Sequence, residues 1–432
     1  MLMLVLFGVM LVMFAIGVSI AAGMGLSAAA ALLMLPRSGL EIVPQRMFLG
    51  LDSFVILSVP LFLLLGEVME RAQITGRLVD FAQSLVGRLR GGLAHVSVVT
   101  NMIMSGISGS GTADAAATAA VLMPAMRQAR YPVPFSAALI GAGGTIGPII
   151  PPSIVMVIYG SIANVSVARL FLAGIIPGII MGGFLMATTA LMARRKGLPP
   201  GQPTGGLPEI VRASKRASLV LVTPVIVIMG IAGGVFTATE SAAIACLYAL
   251  ILGMLVYRTV KPGDLPDILL RTAVISGKVM FVFATASIFA WIMARANVPQ
   301  QMASLPFLAD TANPWMMLLA LNILLFILGG PMDSVAIVVI VTPMFMPLAL
   351  AAGIDPVHLG IVISVNVSLA MITPPVGSII FVICGMTGVS TWDLSRELML
   401  FIGVLLIPLL LFTYVPEVVL FLPDLLMGPA NP

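Results

Sequence analysis

Two stretches of this apolar chain carry polar residues at a spacing suited to ion chemistry. Gly106 to Pro124 begins Gly-Ile-Ser-Gly-Ser-Gly-Thr-Ala-Asp, so Ser108, Ser110, Thr112 and Asp114 lie close together among small residues. Gly329 to Pro343 begins Gly-Gly-Pro-Met-Asp-Ser, and Asp333 precedes Pro343 by ten residues, as Asp114 precedes Pro124. Each stretch is followed by a proline pair in an apolar run, Pro151-Pro152 and Pro374-Pro375. Proline lacks an amide donor and clashes with the preceding turn, so each pair predicts a broken helix. A break at membrane depth frees carbonyls, the hard oxygen ligands a small cation needs, and leaves helix N-termini that favour an anion. Ser105, Ser108 and the Gly109-Ser110-Gly111 backbone are expected to face Gly147, Ile150 and Pro151, and Gly329 and Gly330 to face Ala370, Thr373 and Pro374. Two equivalent cation sites follow, one per copy.

Composition decides the setting. Of 432 residues, 60% are hydrophobic and 9% charged, with a mean hydropathy of +1.16. That is more apolar surface than a soluble core hides, and long uncharged runs such as Leu170 to Ala193 read as spanning helices. Alternation of the kind barrel strands require is absent. The uncharged run through Pro36 outlasts the ~7–15 apolar residues of a signal peptide and lacks its positive flank, so the N-terminus is expected to be retained. The net charge of +4 reports loop orientation and implies no nucleic acid. Cys246 and Cys384 lie in apolar runs, and His95 and His358 are too few for a histidine-rich metal centre. Nucleotide and dinucleotide fingerprints are absent, so no organic cofactor is expected.

The elements that must position these residues follow from charge and punctuation. Residues 1–35 predict two short helices parted near Gly23 and Gly25, then a polar connector from Arg37 to Arg46 and a helix at 51–70. Arg71 to Arg90 is expected along the membrane surface. A hairpin at about 92–126 has Arg88 and Arg90 before it and Arg127 and Arg130 after it, so it enters and leaves on one side and is re-entrant. A broken span covers 135–160, and the connector 194–216 is the most basic segment, hence cytoplasmic. The second half repeats the order. Two segments within 217–257 part at Gly233-Gly234, and a helix runs from 272 to 294. A hairpin at about 314–350 lies between Asp310 and Asp355, a broken span covers 358–384, and a last span covers 398–416. Residues 1–193 and 217–432 thus read as inverted-topology repeats in an all-α polytopic membrane protein of about ten spans and two hairpins. Matched interruptions in two halves point to a transporter's binding site.

Several residues carry two readings. Asp114 and Asp333 are intramembrane acids and candidates for gating or substrate contact, yet each is placed to cap the helix after a Gly-rich tip. Ser110, Thr112 and Ser153 join them as candidates, and Glu240 either starts a helix after Gly233-Gly234 or takes part in the site. Lys278 and Arg295 suit snorkelling to the interface, and Arg37 and Arg46 suit a solvated connector or a docking contact. Gly106-Ile107-Ser108-Gly109 also matches the Gly-x-Ser-Gly of intramembrane serine proteases, with His358 the only later histidine. Its place beside Asp355 at a loop end suits that chemistry poorly.

Four ordered motifs carry a resemblance over nearly the whole chain: Ser108-Gly-Ser-Gly-Thr-Ala-Asp114, Gly147-Pro-Ile-Ile-Pro-Pro-Ser153, Gly234-Val-Phe-Thr-Ala-Thr-Glu240 and Thr373-Pro-Pro-Val-Gly377. Together they resemble the large membrane subunit of tripartite ATP-independent periplasmic (TRAP) transporters. Where that family often has proline in the third motif, this chain has Ala238. The resemblance implies a bacterial inner-membrane secondary transporter, embedded in membrane lipid, driven by sodium ions and working by an elevator motion. It implies a small four-helix membrane subunit, a periplasmic substrate-binding protein and a small organic acid substrate. It puts one sodium site on Ser105, Ser108, Gly147, Ile150 and Pro151 and the other on Gly329, Ala370, Thr373, Pro374 and Val376. A stand-alone sodium- or proton-coupled carboxylate symporter or exchanger of similar hairpin architecture is the alternative. Neither is an enzyme.

Overall fold

The computed structural model describes residues 2–35, 39–201, 205–298, 301, 314–330 and 332–429. Among these every regular element is helical. Helices α1 (Leu2–Ala15) and α2 (Ile20–Leu32) part at Gly17, whose φ of +82° lies in the left-handed region that glycine adopts freely. The break expected at Gly23 and Gly25 is therefore misplaced. Both glycines sit inside α2, where a Cβ would stand 2.8 Å from the Phe14 ring and 3.2 Å from Thr285. They serve close packing.

The expected connector and helix that follow are redistributed. Helix α3 (Ile42–Leu51) already contains Arg46, which stacks on Trp291 at 5.0 Å, and α4 (Ser58–Arg71) starts only after a turn through Asp52. Arg37 and Asp310 lie outside the described residues. Helix α5 (Thr75–Val86) holds the polar segment that precedes the first helix pair, α6 (Gly92–Ser108) and α7 (Gly111–Gln128). Then come α8 (Val133–Gly144) and α9 (Ile154–Ala163), separated by the first break, and α10 (Val167–Arg195). The basic connector is shorter than the charges suggested. Helix α11 (Leu207–Ala232) begins early, with Pro208 in its first turn, and takes in Glu209, Arg212, Lys215 and Arg216.

Helix α12 (Ala238–Ile251) widens into a π turn over Leu252–Val256, and α13 (Leu265–Arg295) is longer than expected. The second pair is α14 (Pro314–Gly329) and α15 (Ser334–Ala351), and the second broken span is α16 (Pro356–Ala370) and α17 (Ser378–Thr387). Helix α18 (Thr391–Tyr414) is followed by a separate α19 (Pro416–Met427), because Pro416 cannot continue the ladder of α18. Among the described residues six helical stretches are long and apolar enough to cross a membrane. The other apolar helices, of 10–17 residues, reach roughly 15–26 Å and fall short of a ~30 Å core.

The short helices brace one another across the two halves. Tyr159 of α9 donates to the Pro356 carbonyl at the start of α16 (2.6 Å), and its ring lies on Gly360. Gly141 of α8 faces Ile379 of α17. Arg127, in the last turn of α7, donates to the Thr387 carbonyl at the end of α17, satisfying a group that a helix C-terminus leaves open. Both breaks therefore sit in one packed set of helices. Helices α3, α4, α12 and α13 are tied at their ends: Thr239 Oγ1 of α12 donates to the Phe54 carbonyl in the turn between α3 and α4 (2.6 Å), and Arg71 of α4 pairs with Asp264 just before α13.

Gly360→Ala is expected to destabilise the protein by about 1–3 kcal/mol through overpacking, since its Cβ would meet Tyr159 Cδ1 at 2.7 Å. Gly385→Ala, with nothing within 4 Å, should hold or raise the melting temperature. Thermal melts of the two detergent-purified variants compare them, and equal melting temperatures would refute the bracing.

Candidate functional site

The first tip is built on backbone approach. Gly109 ends α6 at a φ of +63° and leads through Ser110 into α7. A Cβ on Gly109 would collide with the Pro152 carbonyl oxygen, and one on Gly111 with the Gly144 carbonyl oxygen. A Cβ on Gly147 would stand 2.6 Å from the Gly111 nitrogen. Three glycines thus let the tip lie backbone to backbone on the break, as no larger residue permits. Ser105, Asp114, Ser153 and the break from Thr145 to Ile149 are buried.

Hydroxyls hold this arrangement. Ser108 Oγ donates to Asp114 Oδ1 (2.6 Å) and accepts from the Ser110 amide (3.1 Å). Ser105 Oγ donates back to the Asn101 carbonyl (2.7 Å), so its side chain is engaged within its own helix. Ser110 and Thr112 hydroxyls lie 3.3 Å apart. Ser153 caps α9, accepting from the Met156 amide (3.2 Å) and donating to the Pro148 carbonyl (2.5 Å). The Gly147, Ile150 and Pro151 carbonyls accept no hydrogen bond among the described residues.

The expected cap at Asp114 is corrected. Ser110 is the N-cap residue of α7, and Asp114 sits one turn further in, reaching back to Ser108. Asp333 does cap, accepting from the Val335 amide (3.1 Å) at the start of α15. Glu240 closes a capping box with Thr237, whose amide and hydroxyl both donate to it at 2.8 Å, so its carboxylate is used to start α12.

The second tip differs from the first. Gly329 lies against Ala370, where a Cβ would collide with the alanine side chain. Thr373 Oγ1 donates to the Leu369 carbonyl (2.9 Å), and the Thr373 carbonyl accepts from the Gly377 amide (3.2 Å). Pro374 is half-buried and Val376 is 42% exposed, so this break stands open where the first is closed.

Sequence reasoning missed two sets of supporting residues. Asn101 accepts from Thr118 Oγ1 (3.1 Å), tying α6 to α7 seven residues before Ser108. Asn322, seven residues before Gly329, accepts from Asn366 (2.7 Å) and donates to Thr413 (3.0 Å). The shared offset was readable in the sequence; the partners were not. A cavity of about 300 Å³ beside the first tip is lined by Ser108, Ser110 and Thr112 on one side and by Glu67 and Glu70 of α4 on the other. The three-residue spacing of those acids was the available signal. The protease pairing is not formed: Ser108 bonds Asp114, while His358 Nε2 lies 2.7 Å from the Phe412 carbonyl.

Residues 7–418 match the family described as tripartite ATP-independent periplasmic transporter, DctM component. The chain is 37% identical to the C4-dicarboxylate TRAP transporter large permease protein DctM of Pseudomonas aeruginosa, covering 93% of both chains. It is 38% identical to the sialic acid large permease SiaM of Vibrio cholerae, covering 93% of both. It is also 38% identical to the 2,3-diketo-L-gulonate large permease YiaN of Escherichia coli, covering 96% of this chain and 98% of that one. These relatives are named as transporter permeases. The fold is similar to that of the YdaH transporter of Alcanivorax borkumensis, with a TM-score of 0.61 at 14% identity over 88% of this chain and 89% of that one.

Gly109→Ala is expected to lift the tip. Left-handed backbone costs a non-glycine residue roughly 1–2 kcal/mol, to which the clash with Pro152 adds. Hydrogen exchange across residues 105–114 should then quicken at least about tenfold, while Gly183→Ala, facing open space, leaves it unchanged. Equal exchange in both variants would sink the backbone apposition.

Proposed function

Because this chain belongs to the DctM-component family of tripartite ATP-independent periplasmic transporters, we propose that it is the large permease subunit of a sodium-driven importer of a small organic acid. The observation that carries this reading is the first tip seated on a break whose carbonyls at Gly147, Ile150 and Pro151 accept no hydrogen bond among the described residues. Oxygen donors without a proton partner at membrane depth suit a hard cation. Ser105, Ser108, Gly147, Ile150 and Pro151 would hold one sodium ion. Gly329, Ala370, Thr373, Pro374 and Val376 would hold the second.

Each sodium ion would bridge a tip and its break, which favours the ordered tip over the lifted one. The ordered first tip presents the N-terminus of α7 with Ser110 and Thr112 to the cavity beside it. A substrate carboxylate there would meet helix amides and hydroxyls. The two helix pairs and the two broken spans would be re-entrant hairpins and inverted repeats moving together as the elevator body. Helices α3, α4, α12 and α13 would belong to the static scaffold. Exposed apolar side chains such as Val225 and Met229 on α11 and Leu270 and Phe281 on α13 suit lipid and a small four-helix partner. A periplasmic binding protein would deliver the substrate at the bacterial inner membrane. The relatives' names, C4-dicarboxylate, sialic acid and 2,3-diketo-L-gulonate, supply the first substrates to try.

Uptake into proteoliposomes holding the permease with its small subunit is expected to need both an inward sodium gradient and the binding protein. Ser108→Ala and Thr373→Ala should each cut sodium-dependent uptake at least about tenfold without reducing the protein recovered in the membrane. Undiminished uptake with potassium replacing sodium would refute sodium coupling. Full uptake without the binding protein would favour a stand-alone symporter.

A further inference from the structure

We propose that Asp114 is the charged ligand of the first cation site, so that the two sites bind sodium unequally and the first fills before the second. This inference rests on the sodium-coupled reading above. Asp114 is fully buried; its Oδ1 accepts from Ser108 Oγ at 2.6 Å, and the Ser105 hydroxyl stands close to the carboxylate while donating to the Asn101 carbonyl. Its Oδ2 accepts no hydrogen bond and is aimed at the break, where a Cβ on Gly147 would stand 2.9 Å from it. A carboxylate out of water with half its acceptor capacity unmet is costly unless a positive partner completes it.

Basic side chains of the adjoining helices are engaged elsewhere: Arg127 of α7 donates to the Thr387 carbonyl, and Arg71 of α4 pairs with Asp264. What adjoins Oδ2 is the break itself at Gly147, and in that break the carbonyls of Gly147, Ile150 and Pro151 accept no hydrogen bond among the described residues. An anionic oxygen beside a break rich in unengaged carbonyls supplies the donors a hard cation needs, and ligand charge raises the affinity of such a site. The same hydrogen bond gives Ser108 a positioning role: its hydroxyl is committed between Asp114 and the Ser110 amide and holds the carboxylate toward Gly147.

Among the described residues the second site has no such group. Asp333, which matches Asp114 in its distance from a following proline, caps α15 and stands exposed. Thr373 and backbone carbonyls are the donors left there, all of them neutral.

The test is equilibrium binding of radioactive sodium to the purified full-length chain in detergent, with choline as the balancing cation. The wild type is expected to bind in two phases whose half-saturations lie at least about tenfold apart. Asp114→Asn should remove the tighter phase and keep the weaker one, and Thr373→Ala should do the opposite. A single phase in the wild type would overturn the inference without recourse to any variant, as would survival of the tight phase in a monodisperse Asp114→Asn protein. If the wild type binds no sodium and its uptake is indifferent to sodium, the coupling reading falls as well.

Discussion

An interrupted helix inside an apolar layer exposes amides and carbonyls that lipid cannot satisfy, and the rest of this structure depends on how those groups are covered. The first break is covered by another backbone. Gly109, Gly111 and Gly147 bring the tip of one helix pair onto the break with no side chain between them. Prolines remove amides that would otherwise need acceptors, so the exposed backbone is rich in carbonyl oxygen and poor in donors. That imbalance is what makes a helix break a place for a cation.

The two halves apply this rule unequally. The first tip is closed over its break and carries a buried carboxylate; the second leaves Val376 exposed and uses its acid as a helix cap. Buried asparagines seven residues before the ends of α6 and α14 both reach a broken span, Asn101 donating to the Ile140 carbonyl of α8 and Asn322 accepting from Asn366 of α16. They differ in the second partner, Thr118 of the paired arm for Asn101 and Thr413 of α18 for Asn322, so repetition in sequence coexists with partly different wiring. The two tips therefore differ in both charge and exposure.

Bracing also joins the two halves. Tyr159 joins the first broken span to the second, and Arg127 joins the first helix pair to the end of the second broken span. A displacement of one tip and break therefore has a short route to the other through packed helices and hydrogen bonds, not through flexible connectors. The cavity beside the first tip lies between this braced set and α4, with serine and threonine hydroxyls facing Glu67 and Glu70. Its two walls differ in charge.

The sequence by itself determined the helical membrane character, the paired order of tip and break, and the family, because hydropathy, proline pairs and glycine-rich runs are local signals. It also marked Ser108, Gly147 and Thr373, whose types suit exposed backbone. It misread Gly23 and Gly25 as a break, because glycine in a chain is compatible with both interruption and close packing, and only the position of Phe14 and Thr285 decides between them. It paired Asp114 with Asp333, because both precede a proline by ten residues. Only the folded chain separated them: one carboxylate meets its own helix start at the surface, while the other is enclosed between Ser108 and Gly147. Burial and hydrogen-bond partners belong to three-dimensional neighbours, and no spacing along the chain encodes which neighbour arrives.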